Sequence, residues 1–513
     1  MTEKINKISQ TLASSGAILF AGMILQLGIN FGSKLLIART FGKVDYGGVS
    51  LGITLMTMVT VLTLAGTDTG IGRYLPRFED DERRRGVLLS GFQIVLPFAL
   101  IAGCLIFLFS STIAGTVFND SNLSPIIRAF GFAIPFMAFV KLTIGSVRGL
   151  EDSLPKVYLQ NIAVPVSRFG MIVGAILLGL GAVGIAWSYA LSYCTAAMFC
   201  LYYLYRRTPL LADIKPVGMH KELLVFSAPI MITATMNMIL SNIDIFMLGI
   251  FSSGTGGIGI YNSVYPIASM LTVVLTSFGF IFMPVISKLH SNGNLTEMRR
   301  MYQIVSKWVF LATVPIFLVV VLYPDVVIRN TFGAEYSPGA FTLTLLSIGF
   351  LAHAVAGPAG NALTSIGKTK LIMIDNISVA FVNVVLNLVL IPKYSYFGAA
   401  IATTAGYLLM NSLYLIQLYR SIGIHPFGRS LFRTTIAALV AAGFAYGGSW
   451  ILLGDITLVK LIGAFSFFCA IYVLLILVLG GIEEEELALV EGFENRFDIN
   501  LTGAKQLARR VAK

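Results

Sequence analysis

The sequence predicts an all-α membrane protein of about 14 transmembrane helices. It is arranged as two parallel six-helix repeats plus two C-terminal helices, around a central cavity. Three observations carry this expectation: an apolar composition, apolar runs of membrane-spanning length, and basic residues concentrated in alternate loops. The 513 residues are 56% hydrophobic and 12% charged, with a mean hydropathy of +0.84. A soluble domain carries about 25% charged residues, so too little polar sequence is present to coat a soluble surface of this size. The 50 glycines suit close helix packing in lipid. The formal charge of +11 fits basic loops beside a membrane better than a nucleic-acid partner, and none is expected.

A helix needs about 20 apolar residues to cross the hydrocarbon core. Runs of that length fall at 12–38, 46–70, 86–110, 124–148, 156–180, 182–206, 221–250, 258–286, 302–324, 338–365, 370–392, 396–420, 430–453 and 457–480. The first is too long for a signal-peptide core and lacks a small-residue cleavage site, so it is expected to remain as a helix. The connections are short and leave no room for an inserted soluble domain. A tail, 481–513, opens with Glu483–Glu486 and ends with Lys505, Arg509, Arg510 and Lys513.

Orientation follows from the loops. One set carries Arg73, Arg77, Arg83, Arg84 and Arg85, then Arg148 and Lys156, Arg206, Arg207, Lys215 and Lys221, Lys288, Arg299 and Arg300, Lys368 and Lys370, and finally Arg420, Arg429 and Arg433. The opposite set holds little more than Arg39, Lys43, Arg329 and Lys393. The positive-inside rule puts the first set, and both termini, in the cytoplasm. The expected location is the cytoplasmic membrane.

Residues 184–206 and 398–420 match at an offset of 214 through Gly184/Gly398, Tyr193/Tyr407 and Tyr205-Arg206/Tyr419-Arg420. Lys156 and Lys370 share that offset, and Tyr46-Gly47-Gly48-Val49 is mirrored by Gly257–Tyr261 at an offset near 212. A period of six helices preserves orientation, so the repeats are parallel. The expected lobes are 1–206 and 207–420, followed by two additional helices over 421–480.

Charged groups inside a bilayer are expensive and usually face a cavity or a partner. Gln26, Asn30 and Lys34 share one face of the first helix. Lys141 lies in the fourth helix, and Asn161 and Arg168 share a face of the fifth. Asn237, Ser241 and Asp244 form a stripe in the seventh, His353 and Asn361 lie on one side of the tenth, and Asn376, Asn383 and Asn387 mark the eleventh. The cavity candidates are therefore Arg168, Lys141, Lys34, Asn30, Gln26, Asn161, Asn237, Asp244, His353 and Asn383. The N-terminal half supplies the cations and the C-terminal half a neutral or acidic set. Each has a plainer reading beside it: amide and serine stripes also pack helices, Lys34 is close enough to the surface to snorkel, and a lone histidine is often a satisfied packing residue. Asp68, close to Arg73, reads as a structural ion pair, and the Glu79–Arg85 run as a solvated loop.

Several chemistries are excluded. Ala362–Thr369 fits a loosened phosphate-loop pattern, but the mechanism needs a strand before the loop. Cys104, Cys194, Cys200 and Cys469 sit inside apolar runs without ligand spacing, so neither disulfides nor a metal site are expected. No catalytic constellation or cofactor motif is present. Sequons occur at Asn119 and Asn122.

The order of short motifs resembles the polysaccharide-biosynthesis flippases of the multidrug/oligosaccharidyl-lipid/polysaccharide superfamily. These motifs are Ala38–Gly42 with Tyr46-Gly47, Gly66–Gly70 with Arg73–Pro76, Gly259–Tyr261, Pro284–Ser287 and Asn361–Lys368. The Gly66–Pro76 version is most similar to the archaeal and related branch. The resemblance implies movement of a polyisoprenyl (pyro)phosphate-linked saccharide to the outer face by alternating access, for surface polysaccharide or glycoprotein assembly. It implies a transporter rather than an enzyme, with Na⁺ or H⁺ as the candidate coupling ion, membrane lipids around it, and a monomer working near glycosyltransferases. The alternatives are a cation-coupled multidrug exporter of the same superfamily, and less favourably a membrane sugar polymerase or ligase.

Overall fold

The computed structural model describes residues 2–150, 157–211, 213–252, 254–452 and 458–478. Lys156 and the tail 481–513 lie outside the described residues. Within them every regular element is helical and no strand occurs. Ten helical segments are long and apolar enough to cross a membrane. Two of these, Gly22–Leu64 and Thr369–Ile422, are far longer than one crossing requires. A straight helix of 54 residues would span about 80 Å, against about 30 Å of hydrocarbon. Each is bent: the first at Gly42 (φ 76°, ψ 176°), the second at Ser395 (φ 50°, ψ −133°). With two shorter apolar helices at Leu431–Gly443 and Lys460–Ile476, each of the fourteen expected segments contains a helix within its described residues.

We number them α1 (2–41), α2 (43–64), α3 (Asp81–Leu108), α4 (Ser124–Gly149), α5 (157–177), α6 (Gly181–Arg207) and α7 (His220–Phe251), continuing with α8 (256–291), α9 (Leu295–Leu322), α10 (340–365), α11 (369–394), α12 (396–422), α13 (Arg429–Leu452) and α14 (Leu458–Val478). The turn at Gly42 needs a left-handed φ, which glycine adopts without a Cβ penalty. Ser395 takes a similar φ with a side chain, and its Oγ lies 3.2 Å from Ser252 Oγ.

The chain forms two compact units: Met1–Ser263 with Leu386–Ala399, and Val264–Val385 with Ala400–Lys513. The 214-residue repeat is visible in both. Helices α3 and α9 are each 28 residues long and begin 214 positions apart. Asp80 caps α3 by accepting from Arg83 N, and Asn294 caps α9 by accepting from Glu297 N. Such caps satisfy otherwise orphaned N–H groups.

In unit 1 the two copies of the glycine motif touch each other. Gly47 and Gly259 are 212 positions apart, as are Lys43 and Thr255. A Cβ on Gly47 would collide with the carbonyl oxygen of Thr255, and one on Gly259 with that of Lys43. Asn262 Nδ2 donates to Ser50 Oγ at 2.6 Å, again across 212 residues. Thr255 Oγ1 donates to Val44 O at 2.7 Å, and Tyr46 OH to Asn262 O at 3.1 Å. Reciprocal contact of equivalent residues is the mark of a local two-fold axis. Only glycine lets the backbones of α2 and α8 approach so closely.

The segments leaving α6 and α12 are each tied to a preceding helix. In unit 1, Arg85 of α3 donates Nε to Leu210 O at 3.2 Å and Nη1 to Ile214 O. Val217 N donates to Glu82 O at 3.2 Å, and Val217 O lies where a Cβ on Gly86 would sit. In unit 2, Arg299 of α9 donates Nη2 to His425 Nε2 at 2.8 Å, and Gln303 Nε2 donates to His425 O at 3.3 Å. Unit 2 has its own apolar core, including Ile286, Tyr302, Leu363 and Leu418. There α10 breaks at Gly357-Pro358, where Gly357 has a φ of 66° and Tyr302 OH donates to Ala356 O.

Candidate functional site

In unit 1 the bent pair α1/α2 packs against α5 and α6. Gln26, Asn30 and Lys34 are half-buried on α1. Helix α5 opens with a π-helical stretch, Val157–Ala163, a geometry that recurs at functional sites. Asn161 is buried within it, and Arg168 follows two turns later. The Arg168 guanidinium lies 4.7 Å from the Tyr189 ring centre and 5.0 Å from that of Tyr193. Those tyrosines are one turn apart on α6 and form an aromatic wall. Cation–π contact stabilises a desolvated cation by about 0.5–2 kcal/mol and leaves its N–H edge available. Arg168 Nε is buried without a hydrogen-bond partner. Lys141 is half-buried on α4 beside the buried run Leu142–Val147.

The α7 stripe divides. Asn237 and Ser241 are exposed, whereas Asp244 is 3% exposed. Tyr261 OH donates to Asp244 Oδ2 at 2.7 Å, and Asn387 Nδ2 donates to Oδ1 at 2.6 Å. Both carboxylate oxygens therefore receive a donor, the arrangement a buried carboxylate needs.

In unit 2, His353 Nδ1 donates to Asn411 Oδ1 at 2.8 Å, a direction fixed because that oxygen can only accept. Asn411 Nδ2 donates to Tyr407 O at 2.6 Å, and the His353 ring lies 5.7 Å from the Tyr407 ring. Asn383 is 2% exposed. Tyr414 OH donates to Asn376 Oδ1 at 2.6 Å, and Gln417 Nε2 to Asp375 Oδ1 at 2.6 Å. Asn361 of α10 faces Gly279 of α8.

Arg168 and Asn161 thus share α5, and Asp244 gathers Asn387. The structure assigns His353 to unit 2 with Asn411 rather than with Asn361. The partners Tyr189, Tyr261, Asn411 and Gln417 were not selected from sequence. One signal was available: Tyr193 and Tyr407, matched in the repeat, each set a ring against a polar residue of a neighbouring helix. Asp68 is ion-paired, but with Arg148 at 3.1 Å. Arg73 instead lies 4.2 Å over the Phe226 ring. Residues 359–365 form a helix with no strand before them, so the phosphate-loop geometry is absent there. All four cysteines are free, and the described residues contain no cluster of three or more His, Cys, Asp or Glu that could hold a metal.

Fourteen apolar helices in two units, with charged and amide groups buried in their interior, define a multi-pass membrane protein of transporter-like fold. The chain belongs to the polysaccharide biosynthesis protein family, which matches residues 12–290, more than half its length. Residues 229–389 also match the MatE family. An uncharacterized membrane protein of Methanocaldococcus jannaschii is 24% identical over 74% of this chain and 78% of its own. A Shigella flexneri protein named "Putative O-antigen transporter" is 21% identical over 75% of this chain and 91% of its own. Among solved structures, the lipid II flippase MurJ in an inward closed conformation superposes with a TM-score of 0.71 at 15% identity, covering 90% of this chain and 97% of that one. At that identity the likeness establishes the fold.

Proposed function

We propose that the protein is a flippase that carries a polyisoprenyl (pyro)phosphate-linked saccharide across the cytoplasmic membrane, for surface polysaccharide or glycoprotein assembly. The observation that carries the reading is Arg168: an intramembrane guanidinium held on two tyrosine rings, with its Nε buried and unpartnered. A phosphate headgroup is a bidentate match for that edge, and attraction is stronger in a low dielectric than in water. Lys34 and Lys141 supply further positive charge in unit 1. The amides Gln26, Asn30, Asn161, Asn237 and Asn383 are donors and acceptors for sugar hydroxyls, and His353 remains a candidate contact. The family, the "Putative O-antigen transporter" of Shigella flexneri and the lipid II flippase support the same substrate class.

The working halves are the six-helix lobes 1–206 and 207–420, moving by alternating access with the basic loops and both termini in the cytoplasm. Asp244 is the candidate for a coupling Na⁺ or H⁺. The chain works as a monomer near glycosyltransferases. A second reading, cation-coupled export of organic cations, is favoured by the MatE match and by the buried carboxylate of Asp244.

The test is flipping of a fluorescent polyisoprenyl-linked saccharide by purified protein in vesicles. Arg168→Ala is expected to reduce the rate at least tenfold, equivalent to about 1.4 kcal/mol, with Arg168→Lys intermediate. Equal rates in wild type and Arg168→Ala would remove Arg168 from the site. Ion-driven efflux of an organic cation without saccharide movement would establish the second reading.

A further inference from the structure

We propose that Asp375 and Gln417 form a proton-binding site, in which the Asp375 carboxyl carries a proton and donates it in a hydrogen bond to the amide oxygen of Gln417. Asp375 lies on α11 and Gln417 on α12, both in unit 2. Asp375 is 3% exposed. Gln417 Nε2 donates to its Oδ1 at 2.6 Å. The remaining oxygens, Asp375 Oδ2 and Gln417 Oε1, are both buried without a hydrogen-bond partner.

An ionised carboxylate has acceptors only, and an amide has one oxygen acceptor and an NH₂ donor. With Nε2 bonded to Oδ1, the ionised pair makes one N–H···O bond and leaves two buried acceptors unsatisfied. Turning the amide over does not help, because it again opposes one oxygen to another. One proton on Oδ2 completes the pair: a single O–H bond forms, with water or hydronium as the proton source and no electron transferred. The result is a closed carboxylic acid–amide ring in which each group both gives and accepts.

Other groups do not replace that proton. The Tyr414 hydroxyl, from α12, is committed to Asn376 Oδ1. Lys368 and Lys370, at the start of α11, are exposed. The described residues contain no cluster of three or more His, Cys, Asp or Glu that could hold a metal. The contrast with Asp244 is direct, since Asp244 has a donor on each oxygen and Asp375 on one. The site itself rests only on these two side chains. Its use in coupling rests on the flippase reading: the ring would open as α11 and α12 shift, releasing the proton.

The experiment is infrared difference spectroscopy of the purified, lipid-reconstituted protein at neutral pH, comparing wild type with Asp375→Asn. The expected result is a protonated-carboxyl band in wild type that is lost in Asp375→Asn. That variant should retain the wild-type Tm, because its amide N–H replaces the acid O–H. Should Asp375→Asn not fold, Gln417→Leu keeps the acid but removes its partner, and the band should shift to the position of an unbonded acid. No protonated-carboxyl difference at neutral pH overturns the proposal. A sodium-dependent rise in Tm that Asp375→Asn abolishes, without such a band, makes the site a monovalent-cation site instead. A vesicle assay in which the wild type moves no saccharide would defeat the flippase reading and leave the infrared result standing.

Discussion

The segments that leave α6 and α12 are held by arginines at equivalent repeat positions, 85 and 299, yet held differently. Arg85 uses two backbone carbonyls, Leu210 O and Ile214 O. Arg299 uses a side chain, the imidazole of His425. Position 86 is glycine and admits the Val217 carbonyl against α3, whereas its counterpart, position 300, is arginine. A carbonyl acceptor is present whatever the sequence, so the first strap tolerates drift in the residues it grips. The second has a carbonyl bond too, from Gln303 Nε2 to His425 O, but its arginine depends on one particular side chain. Repeat copies therefore preserve the donor while the acceptor diverges.

Three perturbations bear on this difference, the largest first. Arg85→Ala leaves two carbonyls without their charged donor and should cost about 3 kcal/mol, whereas Arg299→Ala, at a more exposed bond, should cost about 1 kcal/mol. Chemical denaturation in detergent measures both, and equal losses would erase the distinction. Gly86→Ala pushes a methyl group into Val217 O, an overpacking worth about 2 kcal/mol. Hydrogen exchange over 213–219 should then rise while that over 424–428 stays as it is. The smallest effect is that of His425→Leu, which removes the ring nitrogen that accepts from Arg299 Nη2 and keeps the carbonyl that accepts from Gln303 Nε2. It should cost about 0.5 kcal/mol, raising hydrogen exchange over 424–428 and leaving that over 213–219 as it is; no rise over 424–428 would remove the ring from the strap.

The sequence was most informative about segments and least about partners. Length and apolarity located all fourteen helices, because a bilayer imposes one dimension on every crossing. The connections at 39–45 and 393–395 read as loops, yet each is only a bend at one residue, Gly42 or Ser395, through which the helix continues. Helical spacing related Asn161 to Arg168 because one helix carries both. It was silent on Tyr189, Asn411 and Gln417, which meet their partners across helices, where no period in the chain applies. The ion pair of Asp68 was foreseen but its partner was not. Arg73 is nearer in sequence, but Phe226 takes its guanidinium, leaving Arg148 to pair with the carboxylate.

The reciprocal contact of Gly47 with Thr255 and of Gly259 with Lys43 has an evolutionary consequence. After a gene duplication, most paired positions are free to part company, as Gly86 and Arg300 or Phe139 and His353 have done. Positions that touch their own copies are not. A side chain acquired at 47 or 259 meets the other copy's backbone, and no substitution in that copy's side chains can accommodate it. This patch should therefore be where the two repeats stay most alike, while the interiors of the two halves diverge.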